Sequence, residues 1–135
     1  MIMRKLLLLM CFVVSITTKA HDWNPVIDAV IQVESKGNPR AFNKNGNCAG
    51  ILQITPGLVK ECNNILKAKG SSKRYSLNDR YDVEKSKEMF ILVQERYNKE
   101  CNIKKAIRIW NGGPNYSIKK TQKYLDKVMR YYYNS

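Results

Sequence analysis

Apolar residues recur along most of this chain at helical spacing. Ile27, Val30 and Ile31 lie seven, four and three residues before Glu34, so the four side chains share one helical face. Asn24 is a candidate N-cap, Pro25 suits the first helical position, and Asp28 lies near the positive end of the dipole. Gly37 is placed to end this helix, and Pro39 cannot continue it. The following stretch, AFNKNGNCAGILQI, has an Asn45-Gly46 turn signal between short apolar pieces, which predicts a small hairpin or irregular strand region. Thr55 and Pro56 open a second helix with Leu58, Cys62, Ile65 and Leu66 on one stripe. Residues 67–79 are basic, contain Gly and Ser and show no period, so an exposed connection is expected. Asp82 can cap a third helix running to about Tyr97. Asn102 can cap a fourth, with Ile103, Ala106, Ile107 and Trp110 on one side. A last helix from about Tyr116 to Tyr132 turns Thr121, Tyr124, Leu125, Val128 and Met129 inward, with Lys119, Lys120, Lys123 and Lys127 mostly outward. The expected fold class is α+β and predominantly helical, with about five helices and one small β insertion.

The first twenty residues change the picture of where this domain begins. Arg4 and Lys5 precede an apolar run from Leu6 to Val14, and Thr18-Lys19-Ala20 supplies small residues around a cleavage point before His21. Nine apolar residues are too few to cross a bilayer, which takes roughly 20, so residues 1–20 are expected to be a secretory signal peptide. A lipoprotein anchor at Cys11 would need a small residue before it, and Met10 is not small. Residues 21–135 form one domain of about 115 residues, exported to the periplasm or the outside and expected to be a monomer. Loss of Arg4, Lys5 and Lys19 takes the formal charge from +13 to +10. That balance suits anionic wall peptides, teichoic acids or lipid headgroups better than nucleic acid, and solubility alone is an equal explanation.

The chain has a single histidine, His21, which excludes Ser-His and Cys-His catalytic pairs and a two-imidazole copper site. Zinc lacks a Cys-x-x-Cys or a histidine partner, so no metal and no cofactor is expected. Of the cysteines beyond residue 20, Cys48, Cys62 and Cys101, one pair and one free thiol are expected in an oxidising compartment. Three pairings exist. Cys48 with Cys62 is preferred; it closes a loop of about 15 residues, stabilising by about 3 kcal/mol in the chain-entropy account.

Glu34 carries the sharpest chemical signal. It falls in the last helical turn, where the negative dipole end and aliphatic neighbours both disfavour ionisation and raise its pKa. A carboxylic acid kept protonated near neutral pH can act as a general acid, as a glycosidase requires. On the helix argument alone the commoner case is a boundary glutamate whose head reaches water, since structural acids outnumber catalytic ones.

Three islands bear on that choice: ESKGNPRA from Glu34, GILQITP from Gly50, and AIRIWNGGPN from Ala106. In this order and spacing they resemble the catalytic domain of the soluble lytic transglycosylases, relatives of goose-type lysozyme. The resemblance implies a lysozyme-like fold and cleavage of the β-1,4 bond between N-acetylmuramic acid and N-acetylglucosamine in peptidoglycan glycan strands. It assigns the catalytic glutamate to Glu34 and the motif serine to Ser35, which is expected to bind substrate with Gln53, Trp110 and Asn111. Gly50 is its motif glycine, permitting close backbone approach, and Gln53 hydrogen-bonds the glycan. Asn111 matches the asparagine of the family's Ala-Tyr-Asn-x-Gly motif, ahead of Gly113. Trp110 stands where the family usually has tyrosine, replacing a phenol near the acid by an indole that only donates; in the site it would contact substrate. Ser86 stands where the family often has glycine.

Glycoside hydrolysis ordinarily needs two carboxyl groups. Glu61, Asp79 and Asp82 are explained by a polar helix face or by capping, and one carboxyl suffices if the substrate supplies its own nucleophile. The resemblance implies that chemistry, with a 1,6-anhydro product. Two alternatives stay open: a hydrolytic muramidase of the same fold using Asp79 or Asp82, and a non-catalytic basic wall-binding protein.

Overall fold

The computed structural model describes residues 19–135. The expected signal peptide and Cys11 lie almost wholly outside the described residues. Helix α1, Asn24–Glu34, begins with Trp23 in the cap position, and Asp22 Oδ1 accepts from Asn24 N at 3.0 Å. The start therefore falls one residue from the expected cap at Asn24, because Trp23 is drawn into the core against Phe90. The end comes before Gly37: Ser35 N donates to Ile31 O, and Lys36 takes the left-handed conformation at φ 53°.

The Asn45-Gly46 turn joins β1, Phe42–Asn43, to β2, Cys48–Ala49, as an antiparallel pair with Phe42 opposite Ala49. Helix α2, Pro56–Ala68, is capped by Thr55, whose hydroxyl accepts from Leu58 N. The connection after it holds a 3₁₀ turn, Leu77–Tyr81, closed by a capping box between Ser76 and Asp79. Asp82, Asn102 and Ser117 cap α3, Val83–Tyr97, α4, Ile103–Gly112, and α5, Ile118–Tyr133, each accepting from the backbone N–H three residues on. The architecture is the expected predominantly helical α+β class, with five α-helices among the described residues.

Helix α5 packs along both α4 and α1, and α2 packs on α3. Phe90 sits at the centre, fully buried, with Trp23 and Trp110 rings 6.0 and 4.9 Å away. Ser86 is also fully buried, and its hydroxyl donates to Arg80 O at 3.0 Å, so the serine ties α3 to the 3₁₀ turn. Among the described residues no helix is long and apolar enough to cross a membrane.

The expected Cys48–Cys62 bridge is not present: Cys48, Cys62 and Cys101 are all free thiols. The two sulfurs are held apart by their elements. Cys48 Sγ turns back along the hairpin to Gly46 O at 3.7 Å, whereas Cys62 Sγ points into the α2–α3 seam, toward Met89 O at 3.8 Å. Burial pushes the Cys62 thiol up to about 12, which makes it an inert core side chain.

Candidate active site

A cleft of about 420 Å³ opens between the C-terminal end of α1, the N-terminal half of α2, the end of α3 and the end of α4. Glu34, Gln53, Trp110, Asn111 and Gly113 all line it, so residues from all three sequence islands meet there. Glu34 is half-buried on one wall. Burial raises its carboxyl from the ordinary 4.5 to about 7, with the Tyr124 hydroxyl pulling the other way. Tyr124 Oη faces the carboxyl from α5, buried and without a hydrogen bond of ordinary geometry. Desolvation therefore dominates, and the acid holds its proton close to neutral pH.

The loop from Gly50 to Ile54 forms the floor, and contacts of Gly50, Arg80, Gln53 and Ser35 fix its shape. Gly50 has φ +81°, and a Cβ there would lie 1.7 Å from Arg80 O, so only glycine fits. The close backbone approach is to the protein's own chain. Arg80 is buried without a carboxylate partner. Its Nη1 donates to Asn47 O at 2.8 Å and Ile54 O at 3.2 Å, and its Nε to Leu77 O at 2.9 Å, stapling the hairpin to the 3₁₀ turn. Gln53 is left-handed at φ 52°, a costly conformation for a non-glycine residue, and its Nε2 donates to Gly50 O at 2.9 Å and Ala41 O at 3.2 Å. With the amide nitrogen so engaged, the side-chain oxygen is the atom left to accept from a ligand. Ser35 Oγ donates to Ile51 O at 2.7 Å, clasping the end of α1 to the floor; Ser35 is not among the residues lining the cleft.

Trp110 has two faces. Its Nε1 donates to Leu52 O at 3.3 Å and its ring packs on Phe90, yet the residue remains partly exposed on the cleft wall. The indole thus braces the floor, while the phenol beside Glu34 comes from Tyr124. Sequence reasoning placed Tyr124 on the inward stripe of α5 but gave it no role, because spacing within one helix does not say which distant helix it meets. Gly113 ends α4 at φ +81° and leaves Asn111 exposed at the rim.

The α2 side of the cleft holds a residue that sequence reasoning set aside. Thr55 caps α2, Leu58 and Glu61 follow on it at three-residue steps, and Glu61 Oε1 accepts from the Tyr97 hydroxyl at the end of α3. That bond and the Glu61 charge push the Tyr97 hydroxyl up. Asp79 and Asp82 do not line the cleft: Asp79 accepts from Ser76 N and Lys85 Nζ, and Asp82 caps α3. No group of three or more His, Cys, Asp or Glu side chains among the described residues could hold a metal ion.

A helical domain with a half-buried glutamic acid on the wall of an open cleft belongs to the lysozyme-like class. The Transglycosylase SLT domain family model matches residues 12–133, nearly the whole chain, and the chain belongs to that family. At the family level this means lytic transglycosylase-type activity on peptidoglycan. A search of curated proteins and a search of solved structures each matched nothing.

Proposed function

We propose that residues 21–135 are the mature, exported form of a lytic transglycosylase, freed from a signal peptide at residues 1–20, that cleaves the β-1,4 bond between N-acetylmuramic acid and N-acetylglucosamine. The observation that carries the reading is Glu34, a carboxyl desolvated on the wall of an open cleft and lifted to about 7. Protonated Glu34 gives its proton to the glycosidic oxygen as the bond to the anomeric carbon breaks. The substrate N-acetyl oxygen supports the electron-poor carbon. The Glu34 carboxylate then takes the proton of the muramic C6 hydroxyl as that oxygen closes on the anomeric carbon. The product is a 1,6-anhydro sugar, Glu34 ends protonated, and no water is consumed. Gln53 Oε1, Asn111 and the exposed face of Trp110 are suited to hold the glycan, with Ser35 and Gly50 keeping the floor in place.

Glu61 favours a second reading, because a second carboxyl in the cleft could activate water and make the reaction hydrolytic. Product analysis on purified peptidoglycan decides. Anhydro ends are expected; free reducing ends would transfer the chemistry to the Glu34 and Glu61 pair.

A further inference from the structure

A second hollow, of about 290 Å³, lies between α1 and α5 and is lined by Gln32, Val33, Lys36, Lys127, Arg130 and Tyr131. Three of its six lining residues are cations. The ion pairs of the described residues are Lys69–Glu95, Lys73–Glu88, Lys85–Asp79 and Lys105–Glu100, so none includes Lys36, Lys127 or Arg130. The nearest acid in sequence on α5, Asp126, accepts from Gln122 Nε2 at 2.9 Å. Lys36, Lys127 and Arg130 thus gather at one hollow outside any of these ion pairs, and the acids of the two helices beside it are Asp28, Glu34 and Asp126.

The hollow's position relates it to the cleft. Val33 precedes Glu34, and Lys36 follows it by two residues in a left-handed conformation at φ 53°. That conformation costs on the order of 1 kcal/mol in a lysine and nothing in a glycine, and no contact within the protein explains why lysine stands there. On α5, Lys127 lies three residues beyond Tyr124, the residue that faces Glu34, which is about 4.5 Å along the helix axis.

We propose that this hollow binds the carboxylates of the peptide stem borne by the muramic acid residue whose bond is cut. The inference rests on the proposed action on peptidoglycan and extends it from the glycan to the peptide. The stem hangs from the same sugar that must sit at Glu34, so its carboxylates are carried into the neighbourhood of the cleft whenever the glycan binds. Two ammonium groups and a guanidinium fork around a hollow match such carboxylates in charge, and the exposed Tyr131 hydroxyl adds a neutral donor. Binding there would make the protein prefer peptide-bearing over bare glycan, and the preference would fade with salt.

The test compares soluble glycan strands with and without their peptides, using wild-type protein and the double variant Lys127→Ala/Arg130→Ala, with Lys36→Gly as a second, conformationally undemanding variant. At low ionic strength wild type should cleave peptide-bearing strands with kcat/KM at least about fivefold above bare strands, the order expected from a few screened ion pairs. Both variants should fall toward the bare-strand value on peptide-bearing substrate and keep wild-type activity on bare strands, which also shows that they are folded. Equal loss on both substrates, or no loss on either, overturns the inference while leaving the catalytic reading intact. Wild-type protein that cleaves neither strand overturns both. If the variants instead lose only binding to vesicles containing anionic phospholipid, the hollow serves a membrane surface and the peptide assignment is wrong.

Discussion

Glu34 and Glu61 line the same cleft from different helices, α1 and α2, yet their surroundings differ. Glu34 ends a helix whose inner face is aliphatic, and its neighbour across the packing is a neutral phenol, so burial lifts it to about 7. Glu61 lies on the polar side of α2, where the Tyr97 hydroxyl donates to it and is itself pushed up by the carboxylate. Glu34 is arranged to hold a proton, and Glu61 accepts a hydrogen bond from a phenol. Two carboxyl groups in one cleft therefore do not by themselves make a two-carboxyl mechanism; their environments have to be separated in the direction the chemistry needs.

The largest effect should come from removing the proton that Glu34 exchanges. Glu34→Gln keeps the shape of the side chain, and release of anhydro product should fall by at least about 10²-fold, the lower bound for a general acid-base group. The stability effect has the opposite sign from that of a paired acid. The folded carboxyl binds its proton more tightly than the unfolded one, so wild-type stability should decline as pH rises from about 4.5 to about 7 and then level off. The total is at most about 3 kcal/mol. Glu34→Gln should flatten this decline and melt higher than wild type at pH 8. An active or destabilised variant would overturn the contrast between the two glutamates.

Glu61→Gln should cost less than about tenfold in kcat/KM, because a hydrogen-bonding acceptor on the substrate wall is weakened rather than a proton-transfer group lost. A loss of 10²-fold or more, with reducing ends among the wild-type products, would place Glu61 in the reaction.

Trp110→Tyr tests whether the indole belongs to the floor or to the chemistry. It breaks the hydrogen bond to Leu52 O, so stability should drop by about 1 kcal/mol, with activity kept within tenfold. A larger fall would give the exposed indole face a role of its own on the sugar.

The smallest effect should come from Tyr124→Phe. Its hydroxyl holds Glu34 below the value burial alone would give, so the alkaline limb of the kcat/KM profile should move to higher pH, with little change at the optimum. Stability should hold or rise, since a buried hydroxyl without a regular hydrogen bond is removed. A shift of the limb to lower pH would mean that Tyr124 acts on Glu34 in another way.

Much of this arrangement is legible in the chain. Thr55, Asp82 and Asn102 cap the helices at the positions their side chains suggest, and Asn45-Gly46 turns the hairpin. The three islands from Glu34, Gly50 and Ala106 do meet in one cleft. What was not legible depends on partners distant in sequence. Arg80 follows directly on the basic connection of residues 67–79 and carries no signal in the sequence, yet it is buried and bonded to Asn47 across 33 positions. Glu61 reads as a solvated helix face until Tyr97 arrives 36 positions later. Cys48 and Cys62 are close enough in sequence to suggest a bridge, but one follows a hairpin and the other a helix seam.

The sequence by itself determined the helices, the caps at Thr55, Asp82 and Asn102, and the placing of a glutamic acid on an aliphatic stripe at a helix end, because those features rest on contacts within a turn or two of the chain. Tertiary structure alone decided that Tyr124 of α5 would face that acid, that Arg80 O would fill the space a side chain at Gly50 would need, and that the cations of α1 and α5 would gather in one hollow. Each of these depends on how far and at what angle two helices or loops pack, and helical periodicity carries no information about the partner a face will meet.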